Sequence, residues 1–235
     1  MKLTYIYHSC FAIEGEWFTI ILDYFKDAGG IVHDYLLTRP GKFYVMATHF
    51  HPDHFNPEVL RWKEERPDII YIFSKDILKH RRAGKEDALY LKKLDVYEDD
   101  TIRVKAYGST DVGVSFLIEA EDKKIFHAGD LNNWHWNEES TPEEIETAEK
   151  AYLGELKIIN KDIKSVNLAM FPVDPRLGKD YMRGAEQFVD RIQTALFVPM
   201  HFDEEYAKAN AFKAYAESKG CEFISLTHVG QTVEF

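Results

Sequence analysis

His49, His51, Asp53 and His54 put four metal-capable side chains within six residues of the run Thr48-His-Phe-His-Pro-Asp-His-Phe55. Imidazole and carboxylate together suit zinc and its first-row neighbours. The i, i+2, i+4, i+5 spacing is too tight for one helix face, whereas a loop can turn every ligand inward. A merely solvated polar loop needs no such density, so the run reads as a metal-binding loop. Its flanks position it: Phe43 to Ala47 is an apolar, buried strand, and Asn56 to Glu65 reads as a helix with Asn56 as N-cap and Pro57 at its first position. The ligands therefore sit at a strand-to-helix corner.

HxHxDH after an apolar strand resembles the metallo-β-lactamase superfamily, and further residues match in the family's order. Asp23 ends the strand Phe18 to Asp23, Asp130 ends Lys124-Ile-Phe-His-Ala-Gly-Asp130, and His201 ends Phe197-Val-Pro-Met-His201. The resemblance implies a four-layer αββα sandwich of α/β class in which Asp130 bridges two metal sites and His201 adds a last imidazole. Asp23 would orient the ligands from behind. Tyr7-His-Ser-Cys-Phe11, with the HAGD and PMH motifs, is similar to the branch that includes ascorbate-6-phosphate lactonase-like proteins. His8 in that run is read as a supporting residue near the metals.

One position departs from the family. Its Gly-His-Thr-Pro-Gly-like stretch, whose histidine completes the first site, here reads Gly108-Ser-Thr-Asp-Val-Gly113, with Ser109 in the place of the imidazole. A neutral hydroxyl is a poor zinc ligand. His49, His51 and Asp130 remain for the first site, while Asp53, His54, Asp130 and His201 make up the second. Three arrangements follow: one metal in the second site, two metals with a weak first site, or a first site completed by Asp111 or His135. Zn2+, one or two ions, is the expected cofactor, with Mn2+ or Fe2+ as alternatives.

The 235 residues, 45% hydrophobic, suffice for one domain over 1–235 with a sizeable core. Strands are expected near 3–7, 10–14, 17–22, 43–47, 69–73, 101–106, 113–120, 123–128, 166–171, 195–199, 222–225 and 231–235. Helices are expected near 56–65, 75–80, 85–93, 142–161, 181–193 and 204–219. No apolar run approaches the length of about 18 residues that a membrane span needs. Cys10 and Cys221 are too few for a disulfide framework and read as buried apolar residues in a reducing cytoplasm. A formal charge of −11 and the lack of a long basic cluster argue against nucleic-acid binding and for a small-molecule substrate. The oligomeric state is not legible.

Between Asp130 and Thr141 lie Trp134, His135 and Trp136. The tryptophans suit a pocket wall or a core anchor, and His135 a proton donor to the leaving group. Arg176, after the strand Asn167 to Phe171, suits an anion clamp or a surface ion pair. His127 lies three residues before Asp130, so strand alternation turns it to the opposite face. A divalent cation activates water at neutral pH. The expected reaction is therefore hydrolysis of a small ester, lactone, amide or phosphodiester, with Asp53 orienting the water. The alternatives are a metal-binding module without catalysis, motivated by Ser109, and a nuclease of the tRNA 3′-end-processing type, disfavoured by charge. The flavodiiron branch fits less well, because His51 stands where it normally carries a carboxylate.

Overall fold

Fourteen strands arrange themselves in two sheets in the computed structural model, which describes Met1 to Phe235. The first sheet contains β1 (Lys2–Tyr7), β2 (Cys10–Glu14), β3 (Phe18–Leu22), β4 (Lys42–Ala47), β5 (Ile70–Ser74) and β6 (Leu89–Leu91). The second contains β7 (Val96–Glu98), β8 (Arg103–Gly108), β9 (Val114–Ala120), β10 (Lys123–His127), β11 (Ser165–Pro172), β12 (Gln193–Met200) and β13 (Glu222–Phe223). β14 (Thr232–Glu234) returns to the first sheet and pairs with β1, Lys2 opposite Glu234. The orders are β14-β1-β2-β3-β4-β5-β6 and β13-β12-β11-β10-β9-β8-β7. Each sheet is antiparallel in one half and parallel in the other: β3 to β6 run parallel, as do β10 to β13.

Both faces of the central strands are apolar, and alternation sorts them. On β3 and β4, Ile20, Leu22, Tyr44 and Met46 join the core between the sheets, while Ile21, Phe43, Val45 and Ala47 pack toward the outer helices. This two-sided burial is what a four-layer αββα sandwich demands. On the other flank, helix Pro142–Asp162 starts as its sequence announces, with a Thr141–Glu144 capping box and Pro142 in the first turn. It buries Tyr152, Leu156 and Ile159, each contributing about 1.5–3 kcal/mol of apolar burial. No helix is long and apolar enough to cross a membrane. Cys10 and Cys221 are both free and buried, and burial pushes the Cys221 thiol up to about 12.

Every expected strand is present, but the expected helices need correction. Residues 85–93 form no helix: Asp87 closes a turn on the Gly84 amide, and Leu89–Leu91 adds as β6 to the free edge of β5. Val96–Glu98, not expected as a strand, pairs with β8. Long-range pairing overrode local helix propensity in the first case and supplied order to a polar stretch in the second. The expected helix over 204–219 is two short ones, Tyr206–Asn210 and Lys213–Ser218, and that over 181–193 is confined to Arg183–Val189.

Two polar ties join the sheets. At one end Asp99 accepts from the Thr101 and Ile102 amides at 2.8 and 2.9 Å and from Tyr44, Tyr97 and Lys42 at 2.8, 2.9 and 3.0 Å. Burial opposes its charge, but the amides of Ile102 and Thr101 and the Tyr44 hydroxyl hold the carboxyl well below its ordinary range. A depressed carboxyl stabilises the fold fully above its unfolded pKa of about 3.9, and that contribution is lost as pH falls toward the folded value. The Tm gap between wild type and Asp99→Asn should accordingly be widest above roughly pH 5 and narrow below roughly pH 4. A gap unchanged down to pH 3 would show that the charge does not stabilise.

Candidate metal centre

The second tie lies at the opposite edge, where the parallel strands of both sheets end. Asp23 follows β3, His49 follows β4, Asp130 follows β10, Asp174 follows β11 and His201 follows β12. The carboxyl edge of parallel strands is where α/β sheets gather functional loops, since connections must turn there. His8, Asp23 and His201 have left-handed backbones (φ 56, 47 and 62), a conformation uncommon outside glycine. Such strain persists only where the surroundings over-determine it, and it aims these side chains inward.

Two donor groups result: His49, His51, Asp111 and Asp130, and His8, Asp53, His54 and His201, with the atoms within each group at most 4.8 Å apart. In the first, His49 Nε2 lies 3.1 Å from His51 Nδ1 and 3.3 Å from Asp130 Oδ2, and His51 Nδ1 lies 3.5 Å from Asp111 Oδ2. In the second, His8 Nε2 lies 3.4 Å and His54 Nε2 3.8 Å from Asp53 Oδ2, and Asp130 of the first group reaches across, its Oδ1 3.1 Å from His54 Nε2 and 3.3 Å from His201 Nε2. Donors bound to a tetrahedral ion at about 2.0–2.1 Å stand about 3.4 Å apart, so these spacings suit one first-row cation per group. Asp130 offers one oxygen to each.

Buried polar atoms are nearly always paired. Here His8 Nε2, His54 Nε2, His201 Nε2 and Asp130 Oδ1 are buried with no hydrogen-bond partner. Four orphaned donor atoms converging on one another are what a cation would satisfy, so the residues present fit a metal centre. Carboxylates stand behind the imidazoles: Asp23 Oδ2 is 2.7 Å from His54 Nδ1 and Asp174 Oδ2 is 3.0 Å from His201 Nδ1. Asp23 Oδ2 also accepts from the Thr48 hydroxyl, which stands 3.1 Å from His49 Nδ1. Such partners fix tautomer and ring orientation. Burial opposes charge on His201, but Asp130 and Asp174 outweigh it and lift the ring to about 9. At His201 the neighbouring carboxylates thus favour positive charge, which a proton or a cation can meet.

The structure brings together the expected ligands His49, His51, Asp53, His54, Asp130 and His201, with Asp23 behind them. Ser109 is not among the donors; its hydroxyl accepts the Asp111 amide and so supports the turn that carries Asp111. Trp134, Trp136 and Arg176 line a pocket of about 310 Å³ together with His51, Asp53, Thr110, Asp111, Asp130 and His201. Trp134 donates to the Asp130 carbonyl at 2.8 Å and stacks on Trp136 at 6.4 Å. Arg176 is held by Asp174 and faces the same space.

His135 needs correction. It accepts the Asn137 amide at Nδ1 and directs Nε2 to the Asp180 carbonyl at 3.1 Å, so both ring nitrogens clip the loop and neither reaches the donors or the pocket. His127 is likewise spent, on the Ser9 carbonyl and the Gly129 amide. Asp174 went unrecognised as a partner of His201; its place directly after a strand running beside β10 and β12 was the available signal. A larger recess of about 450 Å³ along β7 to β10 contains no histidine and no orphaned donor, and is unrelated to the metal chemistry.

A double-sheet sandwich with a histidine and aspartate centre at the strand ends defines a class of metalloprotein, and the comparisons agree. A family model described as a beta-lactamase superfamily domain matches residues 2–149. The chain belongs to the metallo-β-lactamase superfamily. It is 24% identical to a metal-dependent hydrolase of Nanoarchaeum equitans, covering 96% of both chains. Among solved structures it is similar to Igni18, a metallo hydrolase of Ignicoccus hospitalis (TM-score 0.70, 20% identity, 100% of this chain and 98% of that one). It is also similar to CmlA, a diiron β-hydroxylase of Streptomyces venezuelae (TM-score 0.70, 15% identity, 100% of this chain, 54% of that one).

Proposed function

We propose that this protein is a metal-dependent hydrolase that holds two divalent cations, zinc foremost, and cleaves a small ester, lactone, amide or phosphodiester carrying an anionic group. The observation that carries the reading is the convergence of buried, unpartnered imidazole and carboxylate atoms, two of whose residues, Asp130 and His201, line an open pocket. A cation bound there lowers the pKa of a water ligand toward neutrality and polarises a substrate oxygen. His49, His51, Asp111 and Asp130 would hold one ion, and Asp53, His54, His201 and Asp130 the other. Asp53, partly exposed at the pocket floor, would orient the attacking water. Trp134 and Trp136 present apolar surface to a flat or sugar-like group and limit solvent access.

Arg176 gives the anion preference. Asp174 engages its Nε and one terminal nitrogen, pre-setting the guanidinium plane against the pocket. The vacancy implied by Ser109, the motive for a non-catalytic reading, is offset by Asp111 beside His51. The formal charge of −11 continues to favour a small substrate over a nucleic acid.

Chelator-stripped protein reloaded with Zn2+, Mn2+ or Fe2+ should turn over at least one member of a panel of esters, lactones, amides and phosphodiesters. Stripping should abolish that rate, and His201→Ala should lose both rate and metal. Full turnover in the stripped protein, or none across the panel with any of the three ions, would remove the proposal.

A further inference from the structure

The imidazole that Ser109 does not bring to the first cation is matched by an extra one at the second. We propose that His8 Nε2 is a direct ligand of the cation shared by Asp53, His54 and His201. The third nitrogen donor has in effect crossed the centre, leaving an oxygen-richer first site (two imidazoles, Asp111, Asp130) and a nitrogen-richer second one. This rests on reading the cluster as a two-cation centre.

His8 is only 3% exposed and occupies the turn between β1 and β2, where its carbonyl accepts the His201 amide. Its ring centroid lies 4.2 Å from that of His201 and 5.7 Å from that of His54. The protein supplies its own controls for a buried structural histidine. His127 and His135, equally buried, each engage both ring nitrogens with backbone groups. His8, by contrast, leaves Nε2 unpartnered and 3.4 Å from Asp53 Oδ2, as His54 and His201 leave theirs facing Asp130.

On the far side of the ring a carboxylate stands in the same position. Nδ1 of His54 lies 2.7 Å from Asp23, Nδ1 of His201 lies 3.0 Å from Asp174, and Nδ1 of His8 lies 3.1 Å from Asp203, near enough for an ion pair though not aligned as a hydrogen bond. A carboxylate hydrogen-bonded behind the ring is how proteins orient histidine ligands; His54 and His201 have one, and at His8 the Asp203 carboxylate stands on the same side with Nε2 open in front. Nitrogen-rich sites suit zinc, cobalt and iron, whereas carboxylate-rich sites accept harder ions such as manganese. The two positions should therefore differ in metal preference.

Cobalt(II) titration of the stripped full-length protein tests this by affinity and by visible absorption. His8→Asn suits the left-handed backbone and removes the reaching nitrogen. It should weaken one of the two ions by more than the roughly 100-fold typical of losing a partner behind a ligand. It should also alter that ion's spectrum alone, while Asp111→Asn affects the other ion. Two cobalt ions held by His8→Asn with wild-type affinity and spectrum would overturn the assignment. If His8→Asn lowers the Tm of the stripped protein, Asp203→Asn decides: loss of about 10- to 100-fold for the same single ion supports it, and unchanged binding overturns it. Because the readout is metal binding, a wild type that binds two ions but hydrolyses nothing would remove the proposed function and leave this ligand standing.

Discussion

On the proposed two-cation centre, Asp130→Asn is expected to lower bound metal from two ions per chain to one or none and to reduce turnover by at least about 1,000-fold, beyond the roughly 10- to 100-fold cost of losing a supporting partner. The reason is geometric. Asp130 Oδ1 faces His54 and His201 while Oδ2 faces His49, so one carboxylate serves both groups. An amide keeps the volume but exchanges one oxygen for an NH2 that cannot bind a cation, whichever way it turns. It would also remove the negative charge that the two proposed cations would share. Elemental analysis of metal per chain, with rates on the substrate found by screening, checks the prediction; a variant that keeps both ions and its rate would show that Asp130 does not bridge.

Gly113→Ala is expected to destabilise the protein by about 3 kcal/mol or more, through both strained backbone and overlap. At about 2–4 °C per kcal/mol for a chain of this size, Tm should fall by roughly 6–12 °C. Gly113 has φ +74, and a Cβ there would meet the Thr48 carbonyl oxygen at 2.1 Å and His49 Cβ at 2.5 Å. The same Thr48 carbonyl accepts the Val114 amide at 3.0 Å, the bond that ties the metal loop of the first sheet to β9 of the second. Pushing it away should therefore also loosen His49 and weaken metal binding. Gly220→Ala is the control: φ is +76 but nothing lies within 4 Å, so only the conformational cost of about 1 kcal/mol is expected. Equal Tm losses for the two variants would show that the sheet junction tolerates the added atom.

Which parts of this were legible follows from range. The metal loop could be read directly because its ligands are neighbours in the chain and a loop is the one element that can aim them all. The strands were legible because alternating or continuous apolar runs have few other uses, and helix Pro142–Asp162 because its cap is local. Residues 85–93 failed because β6 exists only by pairing with β5, a partner no local propensity records.

The sequence by itself determined the donor types, the loop that concentrates them, and the order in which the strands present Asp23, Asp130 and His201. Only the tertiary structure decided how those donors divide. It brought His8 beside His201 across 193 positions, set Asp111 rather than His135 near His51, and put Asp174 behind His201. The physical reason is that ligation depends on where a ring nitrogen points and whether another group has already claimed it. Both are fixed by backbone torsions and packing from distant segments, as with the left-handed turn at His8 and the carbonyl of Asp180 that occupies His135.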